Sequence, residues 1–307
     1  MFDKNRYGRI LVPMVTPFKD TDQSVDYDAA VQIAEKLIDD NKADSIILTG
    51  TTGEFFSMTF DERVRMFEVL KDAVGDRIPL IAGTGSVATR EVIELSRRAK
   101  DLGYELAMVV VPYYTKPTQK ELYRHFADIA DSVDMDFVLY NIPIFCGVSL
   151  SVNTVAELSK KSNIVGIKEE AELGPKNLTE YINATDDDFT LYCGDDTMLV
   201  ESYAQGGAKR VGGVISGGAH LIGDRIRQLI QTFLNGQVEQ AAELQQSYLP
   251  LYRILGSNGR LNPVGLLKEA MKMIGYNAGV PRQPLLPGTT EEKKEVGKVL
   301  KFLNILD

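Results

Sequence analysis

The 307-residue sequence predicts an α/β fold, a closed (β/α)8 TIM barrel with a C-terminal helical appendage. Three observations carry that expectation. Short apolar runs alternate with amphipathic segments, the alternation repeats eight times, and no dinucleotide-binding glycine fingerprint follows the first run.

The apolar runs are Ile10 to Val12, Ser45 to Leu48, Ile78 to Ala82, Leu106 to Val111, Phe137 to Tyr140, Ile164 to Ile167, Phe189 to Tyr192 and Val211 to Ile215. Each is short enough for a buried strand of a parallel sheet. Asp61 to Val74, Thr89 to Leu102 and Gln119 to Val133 repeat apolar residues at helical steps, as Val64, Phe67, Leu70 and Val74 illustrate. Thr89 and Thr118 stand where an N-cap would serve, and Gly75 and Gly103 just past two helix ends. Gly83-Thr84-Gly85, a lone G-x-G, is too weak to argue for a nucleotide. After Gly223 the strand signals stop, and Arg225 to Leu234, Val238 to Leu255, Val264 to Ile274 and Glu291 to Leu306 read as helices. Residues 1–223 are therefore assigned to the barrel, and 224–307 to its last helix and a C-terminal helical segment.

Composition narrows the function. Hydrophobic residues at 44% and charged residues at 25% describe a globular protein able to bury a large core. A net charge of -9, without a basic stripe, argues against nucleic acid. No run reaches the ~18 apolar residues of a membrane span, and MFDKNRYGRI has no signal core, so a cytoplasmic address is expected. Two cysteines, Cys146 and Cys193, and two histidines, His125 and His220, cannot build a disulfide framework or a Cys/His metal cluster; the thiols are expected to be buried and inert.

The chemistry of such a barrel gathers at the C-terminal ends of its strands. Those ends supply Thr51-Thr52-Gly53-Glu54, Tyr113-Tyr114, Tyr140-Asn141, Lys168 and Gly194-Asp195-Asp196. Lys168 is the sharpest candidate. An amine among apolar barrel residues loses part of the stabilisation of its charged form and becomes a nucleophile for a ketone, giving a Schiff base. Its plainer role is an ion pair with Glu169 or Glu170. Tyr140, one strand away at the same level, could move protons, or could simply pack. Thr51, Thr52 and Gly53 offer hydroxyls and turn amides for a small carboxylate, or an ordinary turn.

The ordered strings GTTGE (50–54), IPLIAGTGS (78–86), VVPYYTKPTQ (110–119), LYNIP (139–143), GIKEE (166–170), CGDD (193–196) and GVISG (213–217) span nearly the whole chain. Together they resemble the dihydrodipicolinate synthase/N-acetylneuraminate lyase family of pyruvate-dependent class I aldolases. The resemblance implies a covalent imine of pyruvate on Lys168 with no metal or cofactor, Tyr140 as proton relay, and Thr51 linking that tyrosine toward solvent. It implies Thr52 as the holder of the pyruvate carboxylate, Ile215 lining the lysine's pocket, and Tyr114 lent to a neighbouring subunit. The expected partners are a small keto acid and an aldehyde, and the expected assembly is a homotetramer.

Three departures bear on the second substrate. Ile144 and Phe145 occupy the stretch where true dihydrodipicolinate synthases carry an arginine for the carboxylate of aspartate semialdehyde, and a phenyl ring cannot replace a guanidinium. On that ground a 2-keto-3-deoxy-sugar-acid or sialic-acid-lyase type of reaction is expected first and dihydrodipicolinate synthase activity second. A non-catalytic relative would keep the barrel without the reaction. Glu170 replaces a small residue. If the strand continues, it shares a face with Lys168 and could bind a substrate hydroxyl or act as acid and base; if the strand has ended, it turns to solvent. Finally, Lys209 to Gly212 read as an insertion that leaves the register of the eighth strand open. Gly194 and Asp195 complete the expected substrate-binding set.

Overall fold

The computed structural model describes residues 2–170 and 176–306. Eight parallel strands close on themselves in sequence order, β1 (Ile10–Pro13), β2 (Ser45–Leu48), β3 (Leu80–Gly83), β4 (Leu106–Val110), β5 (Asp136–Asn141), β6 (Ile164–Glu169), β7 (Thr190–Cys193) and β8 (Val211–Ile215), with β8 pairing back to β1. Between them run α1 (Tyr27–Asp39), α2 (Phe60–Val74), α3 (Thr89–Asp101), α4 (Gln119–Ser132), the short α5 (Pro143–Cys146) with α6 (Val152–Leu158), α7 (Lys176–Ala184) and α8 (Leu199–Arg210). Four more helices follow: α9 (Ala219–Leu234), α10 (Val238–Leu255), α11 (Val264–Met273) and α12 (Thr290–Phe302). The (β/α)8 barrel with its C-terminal helical appendage is the fold expected from the sequence.

Local chemistry explains the element ends. Thr118 accepts from Glu121 N–H while Glu121 reaches back to the Thr118 N–H, a capping box that starts α4; Thr59 with Glu62 and Thr289 with Glu292 do the same for α2 and α12. Thr89 is not a cap. It is the first residue of α3, and its hydroxyl lies 2.8 Å from His125 Nδ1 instead.

Two further points concern the end of the barrel. The boundary set at 223/224 falls inside α9, where Gly223 lies next to a kink at Ile222 and a β-carbon on it would come within 2.0 Å of the Lys42 carbonyl oxygen. The helix begins directly after β8, where Ser216 Oγ accepts from Ala219 N–H and Asp196 from Gly218 N–H. The extra residues before GVISG are absorbed at two places. Lys209 and Arg210 finish α8 after a break at Gly207 (φ 54), and Gly212 bulges out between the pairs Leu191 with Val211 and Tyr192 with Gly213.

α10 packs on α9 and α12, and α11 on α12. A buried ion pair ties this layer to the barrel: Lys268 Nζ of α11 donates to Glu54 (2.5 Å) and to the carbonyls of Thr16 (2.7 Å) and Val280 (2.8 Å). Both side chains are fully buried. Burial raises the Glu54 carboxyl and lowers the Lys268 amine to about 8, against the attraction between them.

Candidate active site

Strand β6 runs two residues past its apolar core, so Lys168 sits within the strand and not after it. Pairing sets Lys168 level with Tyr140 of β5 on one side and Tyr192 of β7 on the other. Lys168 is 5% exposed, and its amine stands 4.1 Å from the centroid of the Tyr140 ring. Room for it is made by a missing side chain: a β-carbon on Gly194 would lie 2.9 Å from Lys168 Cε. Side chains alternate along β6, and Glu169 points the other way, accepting from Asn141 Nδ2 at 3.1 Å.

Glu170 follows the end of the strand, yet its backbone N–H still donates to the Asn141 carbonyl (3.0 Å) and continues the ladder by one bond. Its side chain therefore enters the mouth beside Lys168. One carboxylate oxygen, Oε2, lies 3.0 Å from Lys168 Nζ and accepts the Tyr140 hydroxyl at 2.5 Å. Burial, then the Glu170 carboxylate, push the Tyr140 phenol well above its ordinary range, opposed by a hydrogen bond from Thr51.

The loop carrying Thr51 and Thr52 is held in a sparsely populated backbone conformation. Thr49 (φ 50) and Glu54 (φ 56) at its two ends are left-handed without being glycine, and for a β-branched residue this is uncommon. Glu54 holds its end through Lys268 and through the Arg282 N–H (2.9 Å). The Thr49 hydroxyl donates to the Gly83 carbonyl at 2.8 Å. The acid of GTTGE is thus a structural anchor for the two threonines.

Thr51, Thr52, Tyr140, Lys168 and Glu170 open into one cavity of about 370 Å³. Its rim carries Ile144 and Phe145 from α5, Gly194, Asp195 and Asp196 after β7, Ile215 from β8, and Tyr252 and Leu261 from the C-terminal layer. Arg260 also reaches it, but its guanidinium is forked onto Glu292 at 3.0 and 3.1 Å. Asp195 is exposed and accepts from Thr197 in a tight turn. Asp196 Oδ2 accepts the Gly218 N–H, whereas its Oδ1 and the Tyr252 hydroxyl are buried with no partner among the described residues. Burial raises the Asp196 carboxyl to about 7. The thiols of Cys146 and Cys193 are buried and pushed up to about 12, which leaves neither as a nucleophile at neutral pH.

Residues 6–303 match the model of the dihydrodipicolinate synthetase family. The chain belongs to that family. A curated 4-hydroxy-tetrahydrodipicolinate synthase 1 of Halalkalibacterium halodurans is 40% identical over 289 residues, covering 94% of this chain and 95% of its own. Among solved structures, a dihydrodipicolinate synthase of Bacillus anthracis matches with a TM-score of 0.90 at 36% identity, covering 98% and 99% of the two chains. One from Acinetobacter baumannii, solved in complex with pyruvate, matches at 0.88 and 33% identity over 98% and 100%. The protein is accordingly a lyase-class enzyme of the dihydrodipicolinate synthetase family.

Against the residues singled out in the sequence, the cavity unites Thr51, Thr52, Tyr140, Phe145, Lys168, Glu170, Gly194, Asp195 and Ile215. It excludes two. Gly53 does not line the cavity; it is glycine because a β-carbon would meet the Met14 carbonyl at 2.9 Å. Tyr114 is 91% exposed, in a left-handed conformation (φ 68), outside this chain's own cavity. The solvent-facing position considered for Glu170 is overturned by its bonds to Lys168 and Tyr140. The sequence places Asp196 at a strand end but gives it no role in the site, and it does not single out Tyr252 at all. Asp195 and Asp196 are indistinguishable as letters, and Tyr252 arrives from a helix outside the barrel, where strand-end logic does not look.

Proposed function

We propose that this enzyme binds pyruvate as an imine on Lys168 and joins the resulting enamine to an aldehyde, or runs the same cleavage backwards. The observation that carries this reading is Lys168 lining the cavity, with the Tyr140 phenol beside its amine and Thr51 and Thr52 in the wall of the same cavity. Attack of the amine on the ketone and loss of water give an iminium that draws electrons from the adjacent carbon, so that carbon can shed a proton and become the nucleophile. No metal or cofactor is called for, because the iminium nitrogen is itself the electron sink. Thr52 is assigned to the pyruvate carboxylate, Thr51 and Tyr140 to proton movement, and Ile215 to the wall of the lysine's pocket.

For the aldehyde we infer aspartate semialdehyde, the reading placed second on the sequence alone. The curated relatives at 37% to 40% identity support it, since they share the name 4-hydroxy-tetrahydrodipicolinate synthase. A second reading, an uncharged hydroxy-aldehyde of the ketodeoxy-sugar-acid or sialic-acid type, is favoured by one observation. Phe145 stands on the rim where a carboxylate receptor would be wanted, while Arg260 is already committed to Glu292 and Glu170, Asp195 and Asp196 add negative charge. A homo-oligomer in the cytoplasm, with Tyr114 reaching into a neighbour's cavity, completes the proposal and fits the exposure of that ring.

Parallel turnover assays decide between the acceptors. With pyruvate fixed, aspartate semialdehyde is compared with a series of uncharged hydroxy-aldehydes. A kcat/KM for the semialdehyde at least as high as for every other acceptor supports the first reading, and a clear preference for a polyol aldehyde replaces it with the second.

A further inference from the structure

Making an imine requires that Lys168 lose protons and that the ketone oxygen gain them, and a single side chain spans the two places. Glu170 Oε2 is 3.0 Å from the nitrogen and 2.5 Å from the Tyr140 oxygen. The same glycine serves both residues: a β-carbon on Gly194 would stand 2.8 Å from Glu170 Cβ as well as 2.9 Å from Lys168 Cε. The Glu170 side chain is 31% exposed, so it is set at the rim of the cavity. The charged and titratable groups facing it are Lys168 from β6, Tyr140 from β5 and Asp196 after β7.

We propose that Glu170 is a catalytic proton carrier for imine formation, taking the protons that Lys168 sheds and returning them through Tyr140 to the ketone oxygen. This deepens the Schiff-base reading above and rests on it. The steps balance. The ammonium gives one proton to Glu170, and the free amine attacks the ketone carbon, breaking the carbonyl π bond and leaving an alkoxide. The alkoxide takes the Tyr140 proton, and the phenolate is refilled from Glu170, which gives a carbinolamine and an ionised carboxylate. The carbinolamine nitrogen then passes a second proton to Glu170. The hydroxyl leaves as water with a proton delivered by Tyr140, again refilled from Glu170. The iminium retains one N–H, and Glu170 ends as it began. Every group in this circuit belongs to one chain.

The test follows the adduct in time. Wild type, Glu170→Gln and Glu170→Asp are mixed with pyruvate across a range of pH and quenched with borohydride at intervals. Adduct on Lys168 is then measured by peptide mapping. The expected result is the same final adduct in all three, formed about 100-fold more slowly in Glu170→Gln with an altered pH profile, and at an intermediate rate in Glu170→Asp. Wild-type rate and pH profile in Glu170→Gln overturn the proposal and leave the Schiff-base reading standing. A lower final adduct in Glu170→Gln, at unchanged rate, also overturns it, since Glu170 would then belong to pyruvate binding. No adduct in the wild type removes the Schiff-base reading itself and the proposal with it.

Discussion

Gly194 and Lys168 share one space: the lysine side chain passes where the glycine's β-carbon would be, 2.9 Å from Cε, with the Glu169 carbonyl oxygen equally close at 2.8 Å. Backbone on one side and a catalytic stem on the other leave no cheap relaxation. Gly194→Ala is expected to fold and to lose about 100-fold in the rate of pyruvate adduct formation, through displacement of the amine from its attack geometry. Single-turnover trapping measures this. A wild-type rate would mean the lysine has room the close contact denies it.

Breaking the buried Glu54–Lys268 pair should damage the fold more than any change at the rim. Lys268→Met leaves Glu54 charged and fully buried, and a loss of about 3–5 kcal/mol in unfolding free energy is expected. Replacing both partners with apolar residues should recover part of that loss, though Thr16 and Val280 carbonyls would still lack a donor. Denaturant titration of the single and double variants reads both outcomes.

The two histidines should make the protein acid-sensitive. His125 and His220 are buried, and burial holds both imidazoles down to about 4. His220 is bonded as a neutral ring, with Nε2 accepting from Val15 N–H (3.2 Å) and Nδ1 facing the Gly217 carbonyl (2.8 Å). A folded pKa below the unfolded value means the unfolded chain binds more protons in between. The contribution is therefore complete above pH ~6.5 and lost as pH falls through ~4, on the order of 3 kcal/mol per ring. Asp196 works the other way, because its folded pKa is raised: its contribution is present at low pH and lost as pH rises through about 7. Stability between pH 4 and 6.5 should fall on acidification, more steeply in Asp196→Asn, and imidazole NMR should show neither ring charging near 6.5.

Phe145 should govern the choice of acceptor. Phe145→Arg places a guanidinium at the rim of the cavity, where it can fork onto a carboxylate. A gain of about tenfold or more in kcat/KM for aspartate semialdehyde is expected, with the rate of imine formation from pyruvate unchanged. Steady-state kinetics against single-turnover trapping separates the two effects.

The barrel was open to reading from the sequence because its signals are local. Runs such as Ser45 to Leu48 and Val211 to Ile215 coincide with observed strands, and the capping box at Thr118 marks its helix in four letters. Lys168, Tyr140 and Thr51 were reachable for the same reason: each ends or nearly ends an apolar run, and register does the rest. What stayed hidden depends on long-range approach. Gly223 looked like the end of the strand-bearing part and is a close approach to the Lys42 carbonyl inside α9, while Glu54 looked like part of the site and is the partner of Lys268, 214 residues away. The direction of the Glu170 side chain turned on a single backbone bond to Asn141, which no pattern of letters encodes.

One measurement bears most directly on the imine at Lys168: reduction of the protein with borohydride in the presence of pyruvate, then peptide mapping of the modified residue. The expected result is a pyruvate-derived adduct on Lys168, absent without pyruvate and absent in Lys168→Arg. Lys268 is the informative control, since it too is a buried lysine, with its pKa lowered to about 8, but is spent on three oxygen partners and does not line the active-site cavity. An adduct on Lys268, or none on any lysine while the protein still turns over pyruvate, would contradict it.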